Sequence, residues 1–107
     1  PIITFDKSNH NFGTVTEGEK VTYAFRFKNE GNTDLILTSV GTSCGCTASD
    51  YPQDPIKPGE LGKIQITFNS ANRLGMQNKK ITIRSNANPE FTVLNIVAKV
   101  VEKNSEN

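Results

Sequence analysis

The chain has no tryptophan, and only two cysteines, one histidine and one methionine among its 107 residues. Each scarcity excludes something. Antibody-type domains pack a disulfide between distant strands against an indole; here there is no indole, and the cysteines stand two positions apart at 44 and 46. Two cysteines and one histidine fall short of the four ligands of a structural zinc site unless carboxylates join them. No Lys/Arg block exceeds Lys79-Lys80 and the net charge is +1, which argues against a surface that tracks nucleic-acid phosphates. No apolar stretch approaches the roughly 18 residues that a membrane helix needs. The length suits one domain. The chain opens on Pro1 rather than methionine and is expected to be a fragment, so an export signal would lie outside it.

What is present is strongly patterned, although hydrophobic residues make up only 35% of the chain. From Glu19 to Asn29, Val21, Tyr23, Phe25 and Phe27 alternate with Lys20, Thr22, Arg26 and Lys28, the signature of a half-buried antiparallel strand. Leu35 to Val40 reads as the next strand, with a slip at Ser39-Val40 that predicts a bulge or a change of sheet. Ile64, Ile66 and Phe68, then Ile81 and Ile83, then Leu94, Ile96, Ala98 and Val100 repeat the alternation. An N-terminal strand over Ile2 to Phe5, continued near Phe12 to Val15, is interrupted by Asp6 to Asn11. Glu17-Gly18, Asn29 to Asn32, Pro55 to Gly59, Asn72 to Gly75 and Asn86 to Pro89 supply the turns. No segment has helical period. The pattern predicts an all-β, immunoglobulin-like antiparallel sandwich of about seven strands over residues 1–101, followed by a polar tail, 102–107. Apolar burial alone would hold it, with Phe5, Phe12, Phe25, Phe27, Phe68 and Phe91 carrying much of the load.

Phe12-Gly13, Gly18-Glu19, Phe25 to Asn29, Ser43-Cys44-Gly45-Cys46-Thr47, Pro58-Gly59-Glu60, Ile64 to Phe68 and Ser85-Asn86 resemble a bacterial family of unknown function. That family is marked by a Cys-Gly-Cys-Thr signature followed by a Pro-Gly-Glu turn, and is similar to Hydin-like and major-sperm-protein-like immunoglobulin modules. The resemblance spans roughly Phe12 to Val100. It implies an extracytoplasmic setting, in the periplasm or at the cell surface, often behind a lipoprotein or secretion signal. It implies no activity.

Cys44 and Cys46 are the candidate functional residues, and three chemistries stand open for them. A disulfide closing about three residues restricts the unfolded chain by only roughly 1.5 kcal/mol, so it would be a poor staple but an easily reduced bond. Gly45 admits the sharp backbone fold such a bond needs. Against a redox role, only His10 is available to depress a thiol pKa, and it lies far off in sequence. Two thiolates also suit a soft ion such as Cu(I), to which Met76 would add a thioether if the fold brought it near. The third reading, burial as two small apolar side chains, is the commoner fate of cysteine and is favoured.

Other candidates are weaker. His10, between two asparagines, reads as a solvated loop residue before the Phe12-Gly13 turn. Asp50, Asp54 and Glu60 lack calcium-loop spacing. Lys79-Lys80 reads as the exposed start of a strand. The function expected is therefore that of a non-catalytic binding or structural module of an exported bacterial protein, with no cofactor and no bound metal. It would offer loops or an edge strand to another protein or a glycan, the first strand being the poorly covered edge. The rival is a thiol-dependent redox or copper-handling protein acting through Cys44-Gly45-Cys46.

Overall fold

The computed structural model describes residues 1–43 and 45–103; Cys44 and residues 104–107, most of the expected polar tail, lie outside it. Eight strands are present: β1 (Ile3–Phe5), β2 (Asn9–Thr16), β3 (Lys20–Asn29), β4 (Leu37–Thr42), β5 (Cys46–Asp50), β6 (Leu61–Asn69), β7 (Gly75–Ser85) and β8 (Phe91–Val101). They form two four-stranded sheets, ordered β1-β3-β6-β5 and β2-β8-β7-β4. No helix occurs among the described residues. The protein is an all-β sandwich.

The alternation seen in the sequence sets the facing. Phe25, Ile64, Ile66 and Phe68 from one sheet meet Ile81, Ile83, Leu94 and Ile96 from the other, all essentially inaccessible to water. Each such side chain stabilises the fold by about 1.5–3 kcal/mol. Three expectations need correction. The N-terminal strand is two strands, because the chain leaves the first sheet after Phe5 and resumes at Asn9 in the second, where β2 runs parallel to β8. Phe91 is no core residue. It stands out of phase with Leu94 and Ile96 and is 54% exposed, with the Arg84 guanidinium over its ring. Strand β4 also begins late. Leu35 instead bridges Ile56, and the register slips between Leu37 and Ser39, slightly before the predicted point.

Apolar burial is not the whole account. Asn29, fully buried, donates from Nδ2 to the Thr33 and Ile56 carbonyls at 2.8 and 2.9 Å, while its Oδ1 accepts from the Gly31 and Ile2 amides. It thereby ties four segments together at one end of the sandwich. At the other end buried Ser70 donates from Oγ toward the carbonyls of Glu19 (2.7 Å) and Thr16 (3.1 Å). No buried side-chain nitrogen or oxygen among the described residues lacks a partner. Two turns share one design. In Thr16–Glu19 and Lys57–Glu60 the third residue is a glycine at φ +96° or +84°. The closing glutamate accepts from the first residue's amide, at 2.7 and 2.8 Å.

Candidate functional site

The Cys-Gly-Cys run lies where the chain crosses from the second sheet to the first, between β4 and β5. Ser43 anchors the near side. Its amide donates to the Lys80 carbonyl at 3.0 Å, and its Oγ accepts from the Lys80 amide at the same distance. Cys46 N donates back to Ser43 O at 3.1 Å, Thr42 Oγ1 donates to Cys46 O, and Asn69 N donates to Gly45 O. The crossing is a hydrogen-bonded turn, tied to both sheets. Gly45 sits at φ +95°, which L side chains rarely adopt, and a Cβ there would stand 2.6 Å from Arg73 Nε. The side chain of Arg73, from the β6–β7 loop, therefore lies against Gly45.

Cys46, paired with Phe68 in the ladder, faces the core and is 9% exposed. Cys44 lies outside the described residues. The fold does not assemble the remaining candidates around the turn. Met76 pairs with Lys99, points away from the core on the second sheet and is 68% exposed. Among the described residues no group of three or more His, Cys, Asp or Glu is placed to hold a metal ion. Asp50 and Asp54 are exposed, and Glu60 spends its carboxylate on the turn at Lys57. Lys79 and Lys80 lie inside β7 rather than at its start, and only Lys80 is exposed.

His10 is not a loop residue. It belongs to β2 and stacks on Tyr23 of β3, with ring centroids 3.7 Å apart and planes 11° apart; Phe12 meets its edge. Burial, aided by the positive charge of Lys7, lowers its pKa below 6.5. It bridges the two sheets, β2 of one to β3 of the other.

The second candidate surface is the free edge of the first sheet. Antiparallel pairing of β1 with β3 is regular over Ile3–Phe5, and it is prolonged by Glu30 N to Ile2 O (2.9 Å) and Asp6 N to Arg26 O (3.1 Å). Since bonding direction alternates along a strand, the backbone groups of Ile3 and Phe5 point to the open side. A groove of about 330 Å³ adjoins this edge, lined by residues including Thr4, Phe5, Arg26, Lys28 and Leu61. Leu61 is 77% exposed. The other three edge strands each carry an irregularity in register: β2 between Asn11 and Thr14, β4 between Leu37 and Ser39, and β5 between Ala48 and Asp50. Such bulges blunt an edge against further pairing.

The family's sequence profile matches residues 3–100. This chain belongs to the family described as "Protein of unknown function (DUF1573)". Solved structures similar to this DUF1573 domain share its fold at low identity. A protein of unknown function from Porphyromonas gingivalis W83 is 22% identical with a TM-score of 0.80, over 92% of this chain and 46% of that one. The ASH / PapD-like domain of human CEP192 (PapD-like domain 7) is 14% identical with a TM-score of 0.69, over 94% of this chain and 86% of that one. The secreted serine protease VesC from Vibrio cholerae is 15% identical with a TM-score of 0.72, over 92% of this chain and 23% of that one. The DUF1573 domain thus spans under half of the Porphyromonas protein and about a quarter of VesC. No curated protein matches it. Among the described residues no helix is long and apolar enough to cross a membrane.

Sequence reasoning missed Arg73 and the groove. Nothing local marks Arg73 as a partner of position 45, because the contact joins two loops. Leu61 did leave a signal, since its parity is opposite to that of Ile64, Ile66 and Phe68.

Proposed function

We propose that this DUF1573 domain is a non-catalytic, immunoglobulin-like binding module of an exported bacterial protein. It takes up an extended segment of a partner protein beside β1. The reading includes an extracytoplasmic setting, with lipid anchoring through a segment outside this chain, and the Cys-Gly-Cys-Thr run as a mark of the family. One observation carries it: of the four edge strands, β1 alone has no break in register, and the outward amides and carbonyls of Ile3 and Phe5 are those a partner strand would use. The test uses linear peptides selected from a displayed library. Bound peptides should slow hydrogen exchange at the Ile3 and Phe5 amides. Ile3→Pro, which deletes an outward amide, should abolish binding while the domain stays folded. Protection confined to loops would overturn the reading. Fractionation of cells carrying the native gene tests the setting, and a purely cytoplasmic protein would overturn that part.

A second reading, a thiol-dependent redox or copper-handling role for Cys44-Gly45-Cys46, rests on the cationic Arg73 side chain against Gly45, between the two cysteines in sequence. Under that reading mild reductant should raise the intact mass by about two units as a labile Cys44–Cys46 bond opens. Alternatively, protein purified without chelator should carry copper. Neither result, together with no thiol labelling of the folded domain, would dispose of it.

A further inference from the structure

We infer that the segment taken up beside β1 is acidic on its solvent face, with a carboxylate placed next to Thr4. The inference rests on the edge-strand reading and adds the chemistry of the partner.

On the outer face of the first sheet, antiparallel register sets Arg26 directly opposite Lys63, and Lys28 opposite Leu61. Like charges facing each other across a ladder are unfavourable, since their Cβ atoms stand about 5 Å apart. Neither these two residues nor Lys28 makes an ion pair among the described residues, where Arg84 with Glu90 is the one ion pair. Two acids border the patch. Asp6 donates its amide to Arg26 O and so lies beside Arg26 in the neighbouring strand, and Glu30 lies at the groove's end. Asp6 offsets the Arg26–Lys63 row in part. Lys28 is different, because its neighbour toward the open edge is Thr4, small and uncharged.

A strand added at the open edge would bond to the backbones of Ile3 and Phe5. Its residues level with these two would turn inward, against side chains that already pack on the core. The residue between them would share the outer face with Thr4 and lie within reach of the Lys28 side chain. The pattern that fits is apolar, acidic, apolar. A basic residue at the middle position would instead meet the field of Lys28, with Asp6, two residues beyond Thr4 on the edge strand, offsetting Arg26 and Lys63.

Two synthetic eight-residue peptides test this, one alternating valine with glutamate and one alternating valine with lysine. Fluorescence anisotropy would follow binding to the intact domain, with exchange of the Ile3 and Phe5 amides as the positional readout. The glutamate peptide should bind at least roughly fivefold more tightly, lose that advantage as salt rises, and lose roughly fivefold to tenfold in affinity on Lys28→Glu. Thr22→Glu, on the same face but distant from the groove, should change affinity less than Lys28→Glu does. Equal binding of both peptides, with Ile3 and Phe5 protected, would overturn the charge inference and leave the edge reading standing. Binding without protection at those amides would overturn both. If neither peptide binds, the charge inference falls, and the library selection decides the edge reading separately.

Discussion

The imidazole of His10 lies parallel to the Tyr23 ring at 3.7 Å, joining an edge strand of one sheet to an inner strand of the other. The stack holds β2 where the chain has just changed sheets, and its pKa is lowered by burial first and by Lys7 second.

That shift makes stability depend on pH. A histidine whose folded pKa lies below its unfolded value of 6.5 is protonated first in the unfolded chain. Its contribution is therefore complete above pH 6.5 and is lost as pH falls through 6.5 toward the folded pKa. Urea midpoints measured between pH 8 and 5, above the main carboxylate range, should fall for the native domain. They should fall less for His10→Phe, which keeps a ring in the stack without a titrating nitrogen. Parallel curves would show that His10 is not the source.

Asn29→Ala should cost about 3 kcal/mol, because removing one fully buried amide takes a partner at once from the Thr33 carbonyl and the Ile2 and Gly31 amides, while the Ile56 carbonyl keeps the Leu35 amide. Asn86, on the exposed surface, bonds the Ile36 amide and the Asp34 carbonyl with water at hand. Asn86→Ala should cost about 1 kcal/mol or less. Equal costs in urea titrations would refute the distinction.

Gly45→Ala meets two obstacles, a positive φ and the Arg73 side chain. It should destabilise by about 2 kcal/mol or more. Combining it with Arg73→Ala should recover only the steric part, leaving about 1 kcal/mol for the backbone. A double-mutant cycle measures the split, and strict additivity would mean that the two residues do not press on one another.

Much of the sandwich was legible because a strand's side-chain period is short-range. Residues 21 to 27 and 94 to 100 alternate within one segment, so their inward faces need no knowledge of partners. The Pro58-Gly59-Glu60 turn was legible for the same reason. Phe91 and Leu61 were misjudged or overlooked, although their parity against Leu94 and Ile64 already placed them outside. Asn29 shares the parity of Phe25 and Phe27, so its inward face was legible, but its bonding partners, up to 27 positions away, were not.

The amino-acid order by itself determined most of the strands, their inner faces and the glycine turns, since each depends on residues within a few positions of one another; β5 (Cys46–Asp50) was not among them. Only the tertiary structure decided that the first strand divides between sheets, that Arg73 covers Gly45, that His10 stacks on Tyr23, and that β1 is the unbroken edge. Those outcomes depend on which distant segments become neighbours, and packing of the whole molecule settles that.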